Sequence, residues 1–204
     1  MWKQIALLMS LAFWFLFACR PSAEKKDITT LSETQEGDAK ALMKTALRYD
    51  QKGQYDEAAE WYRKAAEQGL SEAQNNLGVM LKDGQGVAQD YEEAVRWFML
   101  AARQGNVLAQ SNLGWMYQSG RGVAQNYDSA RYWYQQAAIK GHAAAQNNLG
   151  RMYRDGLGLK ADTDSARFWF EKAALQKLPQ AQRNLERLSR KVDSKVDSTL
   201  SRKE

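Results

Sequence analysis

An all-α stack of repeated helix-turn-helix units is the fold this sequence predicts, and three observations carry that expectation. The chain superposes on itself at a shift of 36 residues: "AQNNLG" at 73 aligns with "AQSNLG" at 109, "AQNNLG" at 145 and "AQRNLE" at 181. Within each unit apolar residues recur at spacings of three and four, the period of a helix with one buried face. Only 2 of 204 residues are proline, while alanine is abundant and 11% of residues are aromatic, a composition suited to helices packed small against large.

At the amino terminus, Met1 to Lys3 is a short basic start, and Ile5 to Ala18 is an apolar run that stops at Cys19-Arg20-Pro21. The run falls short of the roughly 20 residues a spanning helix needs and matches the apolar core of a secretory signal. Leu16-Phe17-Ala18-Cys19 resembles a bacterial lipobox, in which the cysteine is lipidated and becomes the new amino terminus; Phe17 stands where a smaller residue is usual. That resemblance implies a signal peptide over 1–18 and lipid attachment at Cys19. With Arg20, not Asp, following, it also implies a Gram-negative outer membrane lipoprotein facing the periplasm. An inner-membrane anchor, a soluble periplasmic product of ordinary cleavage and an apolar helix packed on the domain are the alternatives. Residues 19–38 are polar with no apolar stripe before Ala41, so they are expected to form a flexible tether.

The repeat domain is expected over 39–188, as units 39–69, 70–105, 106–141 and 142–177 with a half-repeat cap at 178–188. In each first helix Ala73, Leu77 and Met80 or Leu81, with their equivalents, make the buried stripe. In each second helix Ala94, Trp97 and Ala101 share a face, with Trp133 and Trp169 equivalent to Trp97. Asp90, Asn126 and Asp162 stand where a side chain caps the second helix, and Gly105 and Gly141 where it ends. The paired glycines, such as Gly84 and Gly86, form the turn between helices. No strand precedes them and no Lys-Ser or Lys-Thr follows, so they are not a phosphate loop. Gly78, Gly114 and Gly150 lie inside first helices at a cost of about 1 kcal/mol each relative to Ala. A close helix approach should offset that cost, with the repeated Trp expected over the missing Cβ. The tail at 189–204, containing "KVDSKVDS", is basic and expected to be disordered or frayed.

These units, "AQxNLGxMYxxGxGVxxxYxxARxWYxxAAxxG", resemble the Sel-1-like repeat family, and Tyr49, Gly53 and Tyr55 in the shorter first unit are similar to a tetratricopeptide repeat. The resemblance implies a right-handed α-solenoid and a role as adaptor or scaffold for other proteins. Cysteine-rich relatives brace their repeats with disulfides; this chain has a single cysteine.

In a solenoid, recurring positions build the stack and varying positions are free to specify a ligand. Asn76, Asn112, Asn148 and Asn184 recur and should hydrogen-bond between helices or repeats. The tetratricopeptide resemblance places first-helix positions around the Leu-Gly pair on the concave face. There the chain carries Asn75, Val79 and Lys82; Ser111, Trp115 and Gln118; Asn147, Arg151 and Arg154; and Arg183, Arg187 and Arg190. The groove thus turns basic toward its C-terminal end and suits an acidic protein segment or peptide, with Trp115 as an apolar anchor. Binding of cell-wall polymer or anionic lipid by the basic end is the alternative.

Other functions find little support. One histidine and one cysteine allow neither a metal cluster nor an internal disulfide, and His142 reads as a turn residue. A net charge of +5 falls short of a nucleic-acid footprint. Asp56, Glu57, Asp128 and Asp164 sit in first turns of helices, where the helix dipole accounts for them. No nucleophile or carboxylate pair stands outside the repeat pattern, so neither a cell-wall enzyme nor a cofactor is expected.

Overall fold

The computed structural model describes the backbone of residues 23–200 and the side chains of residues 37–190. The expected signal peptide over 1–18 and the expected lipidation site Cys19 lie outside the described residues. The described residues form α1 (Ala23–Gln51), α2 (Tyr55–Glu67), α3 (Ser71–Asp83), α4 (Tyr91–Arg103), α5 (Val107–Ser119), α6 (Tyr127–Ile139), α7 (Ala143–Asp155), α8 (Thr163–Leu175) and α9 (Pro179–Leu200). Each helix packs on the one before it and the one after it, giving an all-α repeat superhelix.

Two segments depart from expectation. Most of the stretch expected as a tether belongs to α1, and most of the expected disordered tail belongs to α9. An apolar stripe reports burial, not helicity. Once part of a helix is anchored by packing, its extension avoids the nucleation penalty and needs no buried face.

Side-chain caps fix where α4 to α8 begin. The Asp90, Asn126 and Asp162 side chains accept the backbone N–H of Glu93 at 2.8 Å, Ser129 at 2.9 Å and Ser165 at 3.3 Å. Asn106 does the same for α5, and His142 Nδ1 accepts Ala145 N–H at 3.3 Å for α7, so the expected turn residue is a helix cap. The turn glycine Gly120 is left-handed, at φ 69°. The second glycine of that loop, Gly122, is left-handed too, at φ 66°, and answers to a further need: a Cβ there would lie 2.2 Å from the Tyr91 carbonyl oxygen. The loop of one repeat is thereby pressed onto the first turn of the preceding repeat's second helix.

Glycines inside the first helices do mark close approach, but the ring above them is not tryptophan. A Cβ on Gly78 would lie 2.7 Å from Phe98, on Gly114 2.7 Å from Tyr134, and on Gly150 2.7 Å from Phe170. Those rings are fully buried, whereas Trp97, Trp133 and Trp169, one residue earlier, are half-buried. The buried face of α4 is therefore Ala94, Phe98, Ala101 and Ala102. Trp97 lies beside it and donates Nε1–H to Glu93 Oε1 at 3.1 Å, the same oxygen that receives Arg63 from the preceding repeat at 2.5 Å. Trp97 thus joins a polar contact between repeats that a core position would not allow.

Two columns of amides complete the stack. Gln74, Gln110 and Gln146 each donate to a carbonyl eight residues back, Ala66, Ala102 and Ala138, at 3.0–3.1 Å. Asparagines bridge neighbouring first helices: Asn112 donates to Asn75 at 3.0 Å and Asn184 to Asn147 at 2.8 Å. Of the recurring asparagines, Asn112 and Asn184 thus hydrogen-bond between repeats as expected. Their partners come from the adjacent column, which sequence variation had marked as free.

Candidate functional site

First helices of three consecutive repeats line an open groove of about 490 Å³. The second helices stand behind them and hold the rings that set the helix spacing. From α3 come Asn75, Val79 and Lys82; from α5, Leu108, Ser111, Asn112 and Trp115; from α7 and its cap, His142, Ala144 and Asn148. The repeat geometry places residues 36 apart side by side, so the groove is built from one patch taken three times.

Trp115 is its most distinctive feature. The indole is half-buried, with Lys82 Nζ 5.7 Å from the ring centroid and the Arg121 guanidinium 5.1 Å away. Arg121 is held by a hydrogen bond to the Tyr91 hydroxyl at 3.0 Å, and Lys82 pairs with Asp83. Leu108, two turns earlier on the same face of α5, is 53% exposed, an aliphatic side chain left open on the side of the groove that carries the indole. None of the ten lining residues is acidic. At the far rim, burial pushes the His142 imidazole below its ordinary pKa, and with Nδ1 accepting the cap hydrogen bond the neutral ring carries its proton on Nε2.

Of the residues chosen from sequence, the structure brings Asn75, Val79, Lys82, Ser111 and Trp115 into this groove. Asn75 is 4% exposed and its carboxamide is already engaged by Asn76 and Asn112, so it shapes the wall and has little left to offer a ligand. Asn147 is buried in the same way against Asn184. Gln118 and Arg154 were expected as ligand contacts and are instead bound within the fold. Gln118 Oε1 accepts the Tyr134 hydroxyl at 2.9 Å. Arg154 makes a two-pronged pair with Asp155 at 2.7 and 2.8 Å and donates Nη1 to Asn184 at 3.0 Å, which ties the terminal half-repeat to α7 and holds the guanidinium protonated. Arg151, Arg183, Arg187 and Arg190 are exposed and lie outside the groove lining.

Leu108, Asn112, His142, Ala144 and Asn148 were missed as lining residues. Leu108 could have been found: the equivalent positions hold Glu72, Ala144 and Gln180, so a leucine there breaks the pattern toward apolar. The asparagines could not, because recurrence marks them as structural and they serve both purposes.

No group of three or more histidine, cysteine, aspartate or glutamate side chains among the described residues could hold a metal ion. No helix among them is long and apolar enough to cross a membrane.

The chain matches no curated protein. Among solved structures, a Sel1 repeat protein from Oxalobacter formigenes is 36% identical with a TM-score of 0.67, covering 72% of this chain and 62% of that one. A protective antigen present in uropathogenic Escherichia coli strains, displaying an SLR fold, is 40% identical with a TM-score of 0.70, covering 73% of this chain and 33% of that one. The chain thus spans less than two thirds of the length of either. Repeats of this kind generally mediate protein–protein interaction, and scaffolds built from them are generally not enzymes. Sel1 repeats match residues 40–70, 71–106, 107–142 and 143–178, well over half of the sequence, and the chain belongs to the Sel1 repeat family.

Proposed function

We propose that the protein is a membrane-anchored adaptor of the bacterial periplasm, holding a partner protein or peptide in the groove of its first helices. The observation that carries this reading is the groove itself: an exposed Leu108 and a cation-flanked Trp115 in a concavity whose lining carries no carboxylate. Such a site favours a segment that inserts an apolar side chain beside the indole and presents carboxylates to the surrounding donors. Exposed Arg151, Arg183 and Arg187 extend the same preference toward the C-terminal end. The lipobox-like Leu16-Phe17-Ala18-Cys19 supports anchoring, and Arg20 supports the outer membrane as its destination.

Envelope proteins captured by the full chain, solubilised from membranes, test the groove. Trp115→Ala, and separately Arg151→Glu with Arg187→Glu, should lose the same partner; a lost charge-assisted contact of about 1.5–3 kcal/mol weakens binding by roughly 10- to 150-fold. Arg103→Glu, exposed on a second helix, is the control and should bind normally. Arg63 and Arg154 are unsuitable for reversal because both join repeats. Identical capture by all variants would refute the groove, and binding that vanishes with modest salt irrespective of Trp115 would point to an anionic polymer or lipid. Mass spectrometry of the mature protein tests the anchor, which fails if the chain retains Met1 or carries an unmodified Cys19.

A further inference from the structure

On the opposite side of the solenoid, the second helices α6 and α8 expose large apolar side chains. Tyr132 is 54% exposed, Ile139 67%, Phe168 50% and Leu175 84%. They occupy two equivalent positions in successive repeats, 36 residues apart, and within each helix the two lie two turns apart on one face. The ends of α6 and α8 are held together, since Gln176 Nε2 donates to the Gly141 carbonyl at 2.8 Å. The same two positions in the earlier repeats hold Glu60 and Glu67, then Arg96 and Arg103. The fold therefore accepts charge at both, and apolar residues there are not required for stacking.

We propose that this face of α6 and α8 is where a second copy of the chain docks. Two half-exposed aromatics and two mostly exposed aliphatics present roughly 400–500 Å² of apolar surface, given about 150–250 Å² for a whole aromatic side chain. That is as much as the largest apolar patch of a typical soluble monomer, and such patches mark interaction sites. A two-fold pairing covers the patch twice. With its polar rim it reaches the ~1,200–2,000 Å² of a specific interface.

The rim argues for a copy of the chain over an anionic bilayer. Three of its cations are held by their own chain, Arg131 pairing with Asp128 at 2.9 Å, Lys140 donating to the Gly105 carbonyl at 2.9 Å and Lys172 lying over Phe168 at 4.9 Å, while Arg167 and Lys177 complete the positive side of the rim. Asp164 and Glu171 stand exposed beside them. A rim of mixed sign offers acid to base across a two-fold axis, whereas it gives lipid phosphates no concentrated positive field.

Sedimentation of the full chain in detergent, over a hundredfold dilution series, tests the proposal. Wild type should sediment as a dimer that dissociates on dilution. Tyr132→Arg with Ile139→Arg copies Arg96 and Arg103 and so keeps a surface the repeat tolerates; it should be monomeric, with unchanged helix content and melting and with undiminished capture by the groove. A wild-type monomer throughout would overturn the proposal. So would a dimer that survives both substitutions, which would assign association to another part of the chain. A monomer whose flotation with phosphatidylethanolamine–phosphatidylglycerol vesicles is lost in the double variant would overturn it in favour of lipid.

Discussion

Replacing Gly114 by alanine isolates the contact that sets the spacing of the two helices in a repeat. The added Cβ would lie 2.7 Å from Tyr134 Cδ1, 2.8 Å from Cε1 and 2.9 Å from Cγ, where carbon atoms prefer about 3.5–4.0 Å. The ring must retreat by roughly 0.8 Å to restore contact, yet it is fully buried and its hydroxyl is held by Gln118. Overpacking costs about 1–3 kcal/mol, against about 1 kcal/mol gained in helix propensity. A rigid tethered ring puts the penalty in the upper half of that range, so the net loss should be about 1–2 kcal/mol. Tyr134→Ala alone should cost about 3–5 kcal/mol, more than Trp133→Ala, because Trp133 is only half-buried. In the Tyr134→Ala background Gly114→Ala should change sign and stabilise by about 1 kcal/mol, a coupling of roughly 2–3 kcal/mol between the two positions. Urea denaturation of the four proteins measures this cycle. If Gly114→Ala stabilises the wild-type chain by more than about 0.5 kcal/mol, or acts with one sign in both backgrounds, the spacer role of the glycine is wrong.

Two further predictions concern pH. The hydrogen bond from Arg63, and then that from Trp97, holds the Glu93 carboxyl below its ordinary 4.5; its folded pKa is depressed, so its contribution is present above the unfolded value and lost as pH falls through the folded one. Glu93→Gln should flatten the fall in melting temperature below pH 4.5, and an unchanged acid limb would show that this contact carries no stability. His142 is a base with a lowered pKa, so the unfolded chain takes the proton first and stability is complete above 6.5 and declines as pH falls below it. His142→Asn, which copies the Asn106 cap, should remove that decline while preserving the melt at pH 8; a decline of the same size in the variant would assign it to another group.

Much of the fold was legible because the repeat shows each constraint several times. A glycine that recurs at 78, 114 and 150 inside a helical stripe has to be a close approach, and a buried ring lies over each of the three. The identity of the covering ring was not legible. Trp97 and Phe98 differ by 100° around the helix, and the residue that repeats more strictly is not the one that is more buried. Invariance at the tryptophan position reflects an amphipathic role, an indole packed on one side with its N–H reaching Glu93 in one repeat. The candidate site was legible in outline only. Variation among repeats found Val79, Lys82 and Trp115, but it also marked Asn75, Gln118 and Arg154, whose variation hides contacts made within the stack. A side chain that bonds to the next repeat can differ between units whenever its neighbour differs too, so variation alone does not separate ligand contacts from interfaces.

The asparagine ladder shows where stacking and binding compete. Asn75 is bridged by Asn112 and Asn147 by Asn184, but the middle step has Ser111, and among the described residues no bond crosses from it to Asn148. On the same helix, Gln110 Oε1 is buried without a partner, because Lys140 stands where Gln104 and Gln176 serve Gln74 and Gln146. Both lapses fall on α5, the helix that brings Leu108 and Trp115 to the groove, and Ser111 lines that groove directly. A shorter side chain at 111 leaves open volume that an asparagine would fill. Ser111→Asn should therefore restore the missing rung and stabilise the chain by about 0.5–1.5 kcal/mol, the net worth of one hydrogen bond. It should at the same time weaken partner capture by filling the space beside Trp115 on the same face of α5. Thermal melts and capture measured on the same preparation separate the effects. A variant more stable and equally competent would mean that the gap in the ladder has no part in binding, and one less stable would mean that the serine is there because the repeat cannot hold an asparagine.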